Sequence, residues 1–178
     1  MNKIRKTLIL FTLLPIIAQA GDFALSAGVS SGAYAFDPNN VVLEASWRPS
    51  EKWDVSVGYI AKQDEPCNTC ENGGLVYFIR PDGTREYVTL TGTQDADPYG
   101  YLSGTRVFSY RVGDLRLFAG GGLMLATETN VLISRAVNIS LHTGIEYGRV
   151  CVQYRHFSNG GTQMPNYGQN LLLIGWNF

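Results

Sequence analysis

Apolar and polar side chains alternate with a period of two along most of the chain, and this period is typical of half-buried β-strands. The pattern is clear near the N-terminus, where four apolar residues share one face: Phe23, Leu25, Ala27 and Val29. The residues between them are small or polar. No segment has a convincing helical period. The alternation therefore predicts an all-β protein.

Turn-forming residues divide the alternating segments, and Asp37-Pro38-Asn39-Asn40 and Val112-Gly113-Asp114 are two of these breaks. The breaks predict eight strands, near residues 22–36, 40–49, 53–62, 99–111, 115–126, 131–144, 149–158 and 169–178. Their lengths, 10 to 15 residues, are sufficient for a tilted strand to cross a membrane, which takes ~9–11 residues. Eight is also the smallest strand count that outer-membrane barrels commonly use. We therefore expect an all-β fold, an eight-stranded antiparallel transmembrane β-barrel.

The connections between the predicted strands alternate between short and long. If both termini lie in the periplasm, three short connections become periplasmic turns: 49–52, 112–114 and 145–148. The long connection at 62–98 then lies on the extracellular side, as in other outer-membrane barrels. Within it, 75–79 and 87–91 flank Arg80-Pro81-Asp82-Gly83-Thr84, which predicts a hairpin above the membrane.

The first twenty residues predict export. A basic segment, Asn2-Lys3-Ile4-Arg5-Lys6, precedes an apolar stretch at 7–17 that is too short to span a bilayer as a helix. Ala18-Gln19-Ala20 then provides a small-residue cleavage site. We therefore expect a cleaved signal peptide at 1–20 and a single barrel domain at 21–178. The alternative is an uncleaved membrane anchor.

The C-terminal strand carries a second localisation signal. Its outward face is apolar and ends on a terminal aromatic residue: Leu172, Ile174, Trp176 and Phe178. This ending resembles the sorting signal of bacterial outer-membrane barrels. It predicts the same compartment as the leader, the bacterial outer membrane.

The composition agrees with a membrane barrel. Charged residues make up 16% of the chain and hydrophobic residues 45%, whereas ordinary soluble domains contain roughly 25% charged residues. An apolar exterior and a polar lumen cancel in such averages. Without the leader, eleven basic and fifteen acidic side chains leave a net charge of −4. This balance argues against a nucleic-acid partner.

The three cysteines predict no metal centre. Cys67 and Cys70 lie in a polar loop, where an oxidising compartment favours a local disulfide. A zinc site would need two further ligands, and none lies nearby in the sequence. Cys151 is left over and is expected to be a buried free thiol. The sequence also contains no phosphate-binding loop and no nucleotide fingerprint.

Two polar residues interrupt the apolar face of the penultimate strand. His156 and Ser158 share that face with Val150, Val152 and Tyr154, and the apolar face of a barrel strand contacts lipid. Polar groups that face hydrocarbon need partners and are candidates for function. The alternative is that this strand end meets lipid headgroups, where a histidine and a serine are stable.

The opposite face of the same strand is polar and is expected to point into the lumen. Arg149 and Arg155 lie on this face, and we expect them to pair with carboxylates such as Glu44 or Asp54. His142, on the preceding strand, also shares a polar face. We therefore expect His142 in the lumen, away from His156.

The residues around the outward-facing pair form a longer motif. Arg155-His156-Phe157-Ser158-Asn159-Gly160-Gly161 is followed by Pro165-Asn166-Tyr167-Gly168. This run resembles the signature of the PagL family, the lipid A 3-O-deacylases. Along the rest of the chain the resemblance extends only to the architecture.

The resemblance implies an esterase that needs no cofactor and removes the acyl chain at the 3 position of lipid A in the outer leaflet. Ser158 would be the nucleophile and His156 the base that takes its proton. Ester hydrolysis also requires an oxyanion hole. Four residues are candidates for its donors: Asn159, Gly160, Gly161 and Asn166.

Asn170 departs from the family's pattern, in which a glutamate early in the last strand orients the histidine. Asn170 shares the outward face of Leu172, on the strand next to His156, and its side-chain oxygen can accept a hydrogen bond from the imidazole. It cannot balance an imidazolium with a full charge, which predicts slower turnover. Alternatively, Asn170 is a headgroup contact and the catalytic site is a dyad.

Three functional hypotheses stay open at this point. The first is a lipid A esterase embedded in the outer membrane, with lipopolysaccharide as its partner. The second is a non-enzymatic barrel that uses the long loop at 62–98 for adhesion or surface interaction. The third is a barrel of the same fold that has lost activity through Asn170. The sequence also leaves open whether the barrel forms a homodimer.

Overall fold

The computed structural model of the chain describes residues 22–32, 40–61, 63–65, 75–79, 84–89, 94–130, 132–162 and 168–178. These residues form twelve strands: β1 (Asp22–Gly32), β2 (Asn40–Ser50), β3 (Trp53–Ile60), β4 (Gln63–Glu65), β5 (Leu75–Ile79), β6 (Arg85–Thr89), β7 (Gln94–Ala96), β8 (Tyr99–Val112), β9 (Leu115–Ala126), β10 (Val137–Tyr147), β11 (Val150–Ser158) and β12 (Gln169–Asn177). They contain no helix that is long and apolar enough to cross a membrane. Four of the expectations lie outside the described residues: the signal peptide at 1–20, Cys67, Cys70 and Asn166.

Eight of these strands close into one antiparallel barrel, in the order β1-β12-β11-β10-β9-β8-β3-β2. The ring closes because β1 pairs with both β2 and β12. The alternation explains this arrangement, since successive side chains of a strand point to opposite faces. In β2, for example, Val41 and Leu43 are exposed, whereas Val42 and Glu44 are buried. The predicted eight-stranded antiparallel barrel is confirmed.

The exterior of the barrel is apolar. Large apolar side chains project from the outer face of every barrel strand, and Ile174 and Leu123 expose 62% and 60% of their surface. A closed belt of this kind is stable against hydrocarbon rather than water. The backbone hydrogen bonds are made between neighbouring strands, as a lipid environment requires. The protein is therefore a barrel of the bacterial outer membrane, as predicted.

The tight turns lie at one end of the barrel, together with the start of β1 and the end of β12. Gly113 and Gly148 occupy two of these turns with φ of 57° and 58°, a backbone region that favours glycine. Short turns face the periplasm in outer-membrane barrels, so we call this the periplasmic end; the opposite end, which we call the extracellular end, carries the connection between β3 and β8. Within it, β5 pairs with β6 as the predicted hairpin, although β6 begins at Arg85, two residues earlier than expected. β4 pairs with β7 in the same connection.

A charged network centred on Arg155 fills the middle of the lumen. The fully buried Arg155 guanidinium lies 3.3 Å from Glu44 and 3.5 Å from Asp54. Tyr101 and Gln153 donate hydrogen bonds to the Glu44 carboxylate at 2.6 and 2.8 Å. The pairing predicted for Arg155 is confirmed. Because these partners come from β2, β3, β8 and β11, the network links strands across the barrel.

A second network closes the periplasmic end of the lumen. Glu146 forms ion pairs with both Arg48 and Arg116. Arg149, expected on the same polar face as Arg155, instead lies exposed in the turn after β10. That prediction was wrong because β11 begins at Val150, after the turn.

An apolar cluster lies at the extracellular end of the lumen, whereas the sequence predicted a polar lumen. The cluster consists of Val42, Ile60, Tyr99, Tyr101, Met124, Leu132, Ile133, Phe157, Leu171 and Leu173. Leu132 and Ile133 come from the β9–β10 connection, where the Asn130 side-chain oxygen accepts both of their backbone N–H groups at 2.9 Å. Because this turn occupies the residues after Asn130, β10 begins at Val137 rather than at the predicted residue 131.

Candidate active site

The end of β11 presents His156 and Ser158 on the lipid-facing surface of the barrel. Both side chains are half-buried, whereas their neighbours Arg155 and Phe157 are fully buried in the lumen. Phe157 packs edge-on against Tyr101, with ring centroids 4.9 Å apart. Because these inward neighbours fix the alternation of the strand, His156 and Ser158 point outward, as predicted.

β12 brings Asn170 directly opposite His156 in the antiparallel register. The His156 Nδ1 atom lies 2.8 Å from the Asn170 Oδ1 atom. The Asn170 Nδ2 group donates to the Gly32 carbonyl oxygen of β1 at 3.5 Å, which leaves Oδ1 as the acceptor for the imidazole. With Oδ1 facing the ring, a neutral His156 carries its proton on Nδ1, which leaves the Nε2 lone pair free.

Tyr154 completes this contact, and the sequence did not single it out. It lies two residues before His156 on the same outer face, and its hydroxyl donates to Asn170 Oδ1 at 2.7 Å. The Asn170 oxygen thus accepts two hydrogen bonds, one from a phenol and one from an imidazole. The alternation alone places Tyr154 on this face, but only the register between β11 and β12 brings it to Asn170.

Ser158 is the last residue of β11 and lies where the chain turns. Its Oγ accepts the backbone N–H of Gly160 at 3.0 Å. Gly160 and Gly161 have φ of 67° and 76°, and a Cβ at Gly160 would press against Ile139 at 3.1 Å. No hydrogen bond joins the described side chains of His156 and Ser158. A serine at an ordinary strand end makes the same turn contact.

The four oxyanion candidates differ in what they contact. The Gly160 amide points at Ser158 Oγ. The Asn159 side chain is only 5% exposed; its Nδ2 donates to Ser134 Oγ at 2.6 Å, and its Oδ1 accepts the Gly161 N–H at 2.9 Å. The Asn159 side chain therefore connects the segment after β11 to the β9–β10 connection by hydrogen bonds. Asn166 lies outside the described residues.

Other residues with nucleophilic or ligand chemistry lie in the lumen. His142 is buried there as predicted, with its Nδ1 3.4 Å from the Thr105 hydroxyl. Cys151 is a buried free thiol, as predicted. Within the described part of the chain, no three His, Cys, Asp or Glu side chains group as metal ligands. The polar cluster on the outer surface is thus separate from these buried groups.

Apolar surface surrounds the candidate site. Ile139 and Leu141 of β10 lie opposite Ser158 and His156 in register, and both are exposed on the exterior. On the periplasmic side of the site, a shallow groove crosses the exterior from β8 to β12 and includes Tyr154 in its lining. The other outward side chains along it are apolar except for Thr143: Phe108, Tyr110, Leu117, Ala119, Ile145, Val152 and Leu172.

Comparison with known proteins finds similarity only among solved structures. Neither the protein-family profiles nor the curated proteins contain a match. The outer membrane enzyme PagL is 15% identical, with 88% of this chain and 98% of PagL covered and a TM-score of 0.46. A de novo designed transmembrane β-barrel is 13% identical, with 89% and 96% covered and the same TM-score of 0.46. Ail, the attachment invasion locus protein of Yersinia pestis, is 13% identical, with 89% and 99% covered and a TM-score of 0.34.

Proposed function

We propose that the protein is an outer-membrane esterase that removes an ester-linked acyl chain, the 3-O chain, from lipid A. The observation that carries the proposal is the 2.8 Å contact between His156 Nδ1 and Asn170 Oδ1 on the lipid-facing surface. This contact selects the tautomer in which Nε2 is free to accept a proton, which is the form a general base needs. Ser158, the proposed nucleophile, lies two residues away on the same face.

The proposed reaction is acyl transfer through the serine. The Ser158 hydroxyl attacks the ester carbonyl carbon while its proton passes to His156 Nε2. The Gly160 N–H, which donates to Ser158 Oγ in the resting site, stabilises the oxyanion that develops beside it. Collapse of the intermediate expels the sugar oxygen, which takes the proton from His156. Water then hydrolyses the acyl-serine by the same route and releases the fatty acid.

The proposal requires His156 and Ser158 to draw together when substrate binds. Strand rise separates residues two apart by roughly 6–7 Å, and no hydrogen bond joins the two described side chains in the resting site. Catalytic hydrogen bonds often tighten only in the complex with substrate. Ser158 ends its strand and precedes two glycines with positive φ, so it lies where the backbone changes direction.

The surroundings of the site support a lipid substrate. The groove that begins at Tyr154 runs along the apolar exterior towards the periplasmic end, so it can hold an extended acyl chain against the barrel. Leu141 and Leu172 flank the site on the two neighbouring strands and are exposed to lipid. An ester at the outer end of the apolar belt would therefore reach Ser158 without leaving the membrane.

Hydrolysis by the purified barrel tests this proposal. The substrate is lipid A with an ester-linked 3-hydroxyacyl chain in detergent micelles, and the readout is released fatty acid. Ser158→Ala and His156→Ala should each lower kcat by about a thousandfold or more. Removing one member of a catalytic unit costs nearly as much rate as removing all of its members. Ser50→Ala, at the exposed end of β2 and at the opposite end of the barrel, is the matched control. Wild-type rates in either site variant would refute the assignment.

Surface interaction through the long extracellular connection is a second candidate function. The observation that favours it is the local structure of this segment, in which β5 pairs with β6 and β4 with β7. Strand pairing of this kind gives a protruding loop a defined shape that a partner can recognise. The two candidate functions use different parts of the chain, so variants of one leave the other intact.

A further inference from the structure

We infer that Tyr154 is a positioning residue for the proposed esterase. Its hydroxyl holds the Asn170 carboxamide with Oδ1, rather than Nδ2, towards His156. The inference rests on the proposed function and concerns a residue to which the sequence motif assigns no role. Tyr154 acts through Asn170 and does not take part in bond making.

The inference begins from the chemistry of a carboxamide, which has two different ends. If Oδ1 faces the imidazole, the His156 proton stays on Nδ1 and Nε2 can accept the serine proton. If Nδ2 faces the imidazole, Nδ1 must be the acceptor, the proton moves to Nε2, and the base is lost. A carboxylate has no unproductive orientation of this kind, because both of its oxygens are acceptors. A site with Asn170 therefore needs a further contact that selects one orientation.

Two contacts of Asn170 select the productive orientation. The Tyr154 hydroxyl donates to Oδ1 at 2.7 Å, whereas Nδ2 donates to the Gly32 carbonyl at 3.5 Å. The second distance is at the long limit for a hydrogen bond, so the Tyr154 contact is the stronger of the two. Both lie on the lipid-facing side of the barrel, where little water competes and an amide dipole is held more firmly than in solution.

A reversed carboxamide would lose the Gly32 contact and reverse the direction of the Tyr154 contact. Its oxygen would face the Gly32 carbonyl oxygen, and two acceptors repel each other. The Tyr154 hydroxyl would accept from Nδ2, and its own proton would lose the Asn170 oxygen that now receives it. Removing the phenol oxygen leaves only the long Gly32 contact to oppose this reversal.

Nitrogen NMR of the full-length barrel in detergent micelles tests the orientation without any substrate. The chain contains two histidines, so His142→Gln assigns their signals. We expect wild-type His156 to be the Nδ1–H tautomer and Tyr154→Phe to increase the Nε2–H fraction. Tyr59→Phe, which removes a lipid-facing phenol from β3, is the matched control. The same tautomer fraction in Tyr154→Phe and wild type would overturn the inference.

Kinetics with the lipid A substrate test whether the orientation of Asn170 affects the rate of hydrolysis. Tyr154→Phe should lower kcat about three- to tenfold with KM unchanged, which is the effect of one lost hydrogen bond. In an Asn170→Glu background the same change should cost about twofold or less, because a carboxylate needs no orientation. Equal losses in both backgrounds, or a raised KM alone, would overturn the inference. A wild-type barrel that does not hydrolyse lipid A would refute the proposed function itself, while the tautomer measurement still decides the orientation.

Discussion

At the residue scale, the proposed site depends on how the neutral side chain of Asn170 orients His156. Asn170 Oδ1 lies 2.8 Å from His156 Nδ1 but carries no charge to balance the imidazolium that the proposed proton transfer would form. A carboxylate in the same place would supply both effects. In the proposed esterase, His156 is thus an oriented base whose charged form is only partly stabilised.

Replacing Asn170 separates these two effects. Asn170→Glu should keep or raise kcat, because a carboxylate orients His156 and also stabilises its charged form. Asn170→Leu should lower kcat by about ten- to a hundredfold, since a bond to a group that becomes charged is lost. Initial rates of fatty-acid release from lipid A micelles measure both. A large loss in Asn170→Glu, with the barrel still folded, would contradict the role given to Asn170.

The sequence predicted which residues share the outer surface better than it predicted their contacts. The outward direction of His156 and Ser158 follows from a period of two and is found in the structure. The bond from Tyr154 to Asn170 could not be predicted in the same way, because a one-residue change of register moves every side chain to another neighbour. The catalytic roles of these residues stay predictions.

At the element scale, the strands that carry the site are held from inside the barrel. Arg155, next to His156, contacts Glu44 on β2 and Asp54 on β3. Such a buried pair adds little net stability, but removing one partner leaves an uncompensated charge. The network therefore ties β11 to the far side of the barrel.

Substitution of Arg155 tests whether this network stabilises the barrel. Arg155→Met should lower the free energy of unfolding by about 3–5 kcal/mol, the usual cost of breaking a buried ion pair from one side. Arg149→Met, in an exposed turn, should change it by no more than about 0.5 kcal/mol. Urea titration of barrels in phospholipid vesicles measures both values. Equal stability of the two variants would contradict a structural role for the buried network.

Deletion of residues 64–92 tests the independence of the extracellular segment. This removes most of the connection between β3 and β8 but no barrel strand. We expect a folded barrel that still hydrolyses lipid A, because the site lies on β11 and β12. Binding of cells to a host surface is the parallel readout for the adhesion hypothesis. Loss of hydrolysis by a correctly folded deletion variant would place part of the active site in this loop.

Strand boundaries were predicted least well where side chains outside the strands fill the lumen. Leu132 and Ile133 continue an apolar pattern in the sequence, so β10 was expected to start at residue 131. They are instead buried in the mouth of the barrel, beyond the Asn130 turn. An apolar residue satisfies the same pattern whether a strand or a connection buries it, so the pattern could not distinguish these cases.

At the scale of the whole molecule, the barrel is a closed scaffold with polar side chains both in its lumen and at one place on its exterior. Inside, Arg155 and Glu146 are paired with groups of opposite charge, and an apolar cluster fills the extracellular end. Outside, the described polar cluster of Tyr154, His156, Ser158 and Asn170 interrupts a lipid-facing surface. This placement would give the proposed esterase direct access to lipids of the outer leaflet.

Mass spectrometry of lipid A from cells that express the chain tests the central proposal most directly. Cells that express Ser158→Ala at the same level, with the barrel folded in the outer membrane, are the comparison. We predict that lipid A loses the mass of one hydroxyacyl chain in the wild-type sample and stays intact in the Ser158→Ala sample. Intact lipid A in both samples, or the same loss in both, would contradict the assignment of Ser158 as the nucleophile of a lipid A esterase.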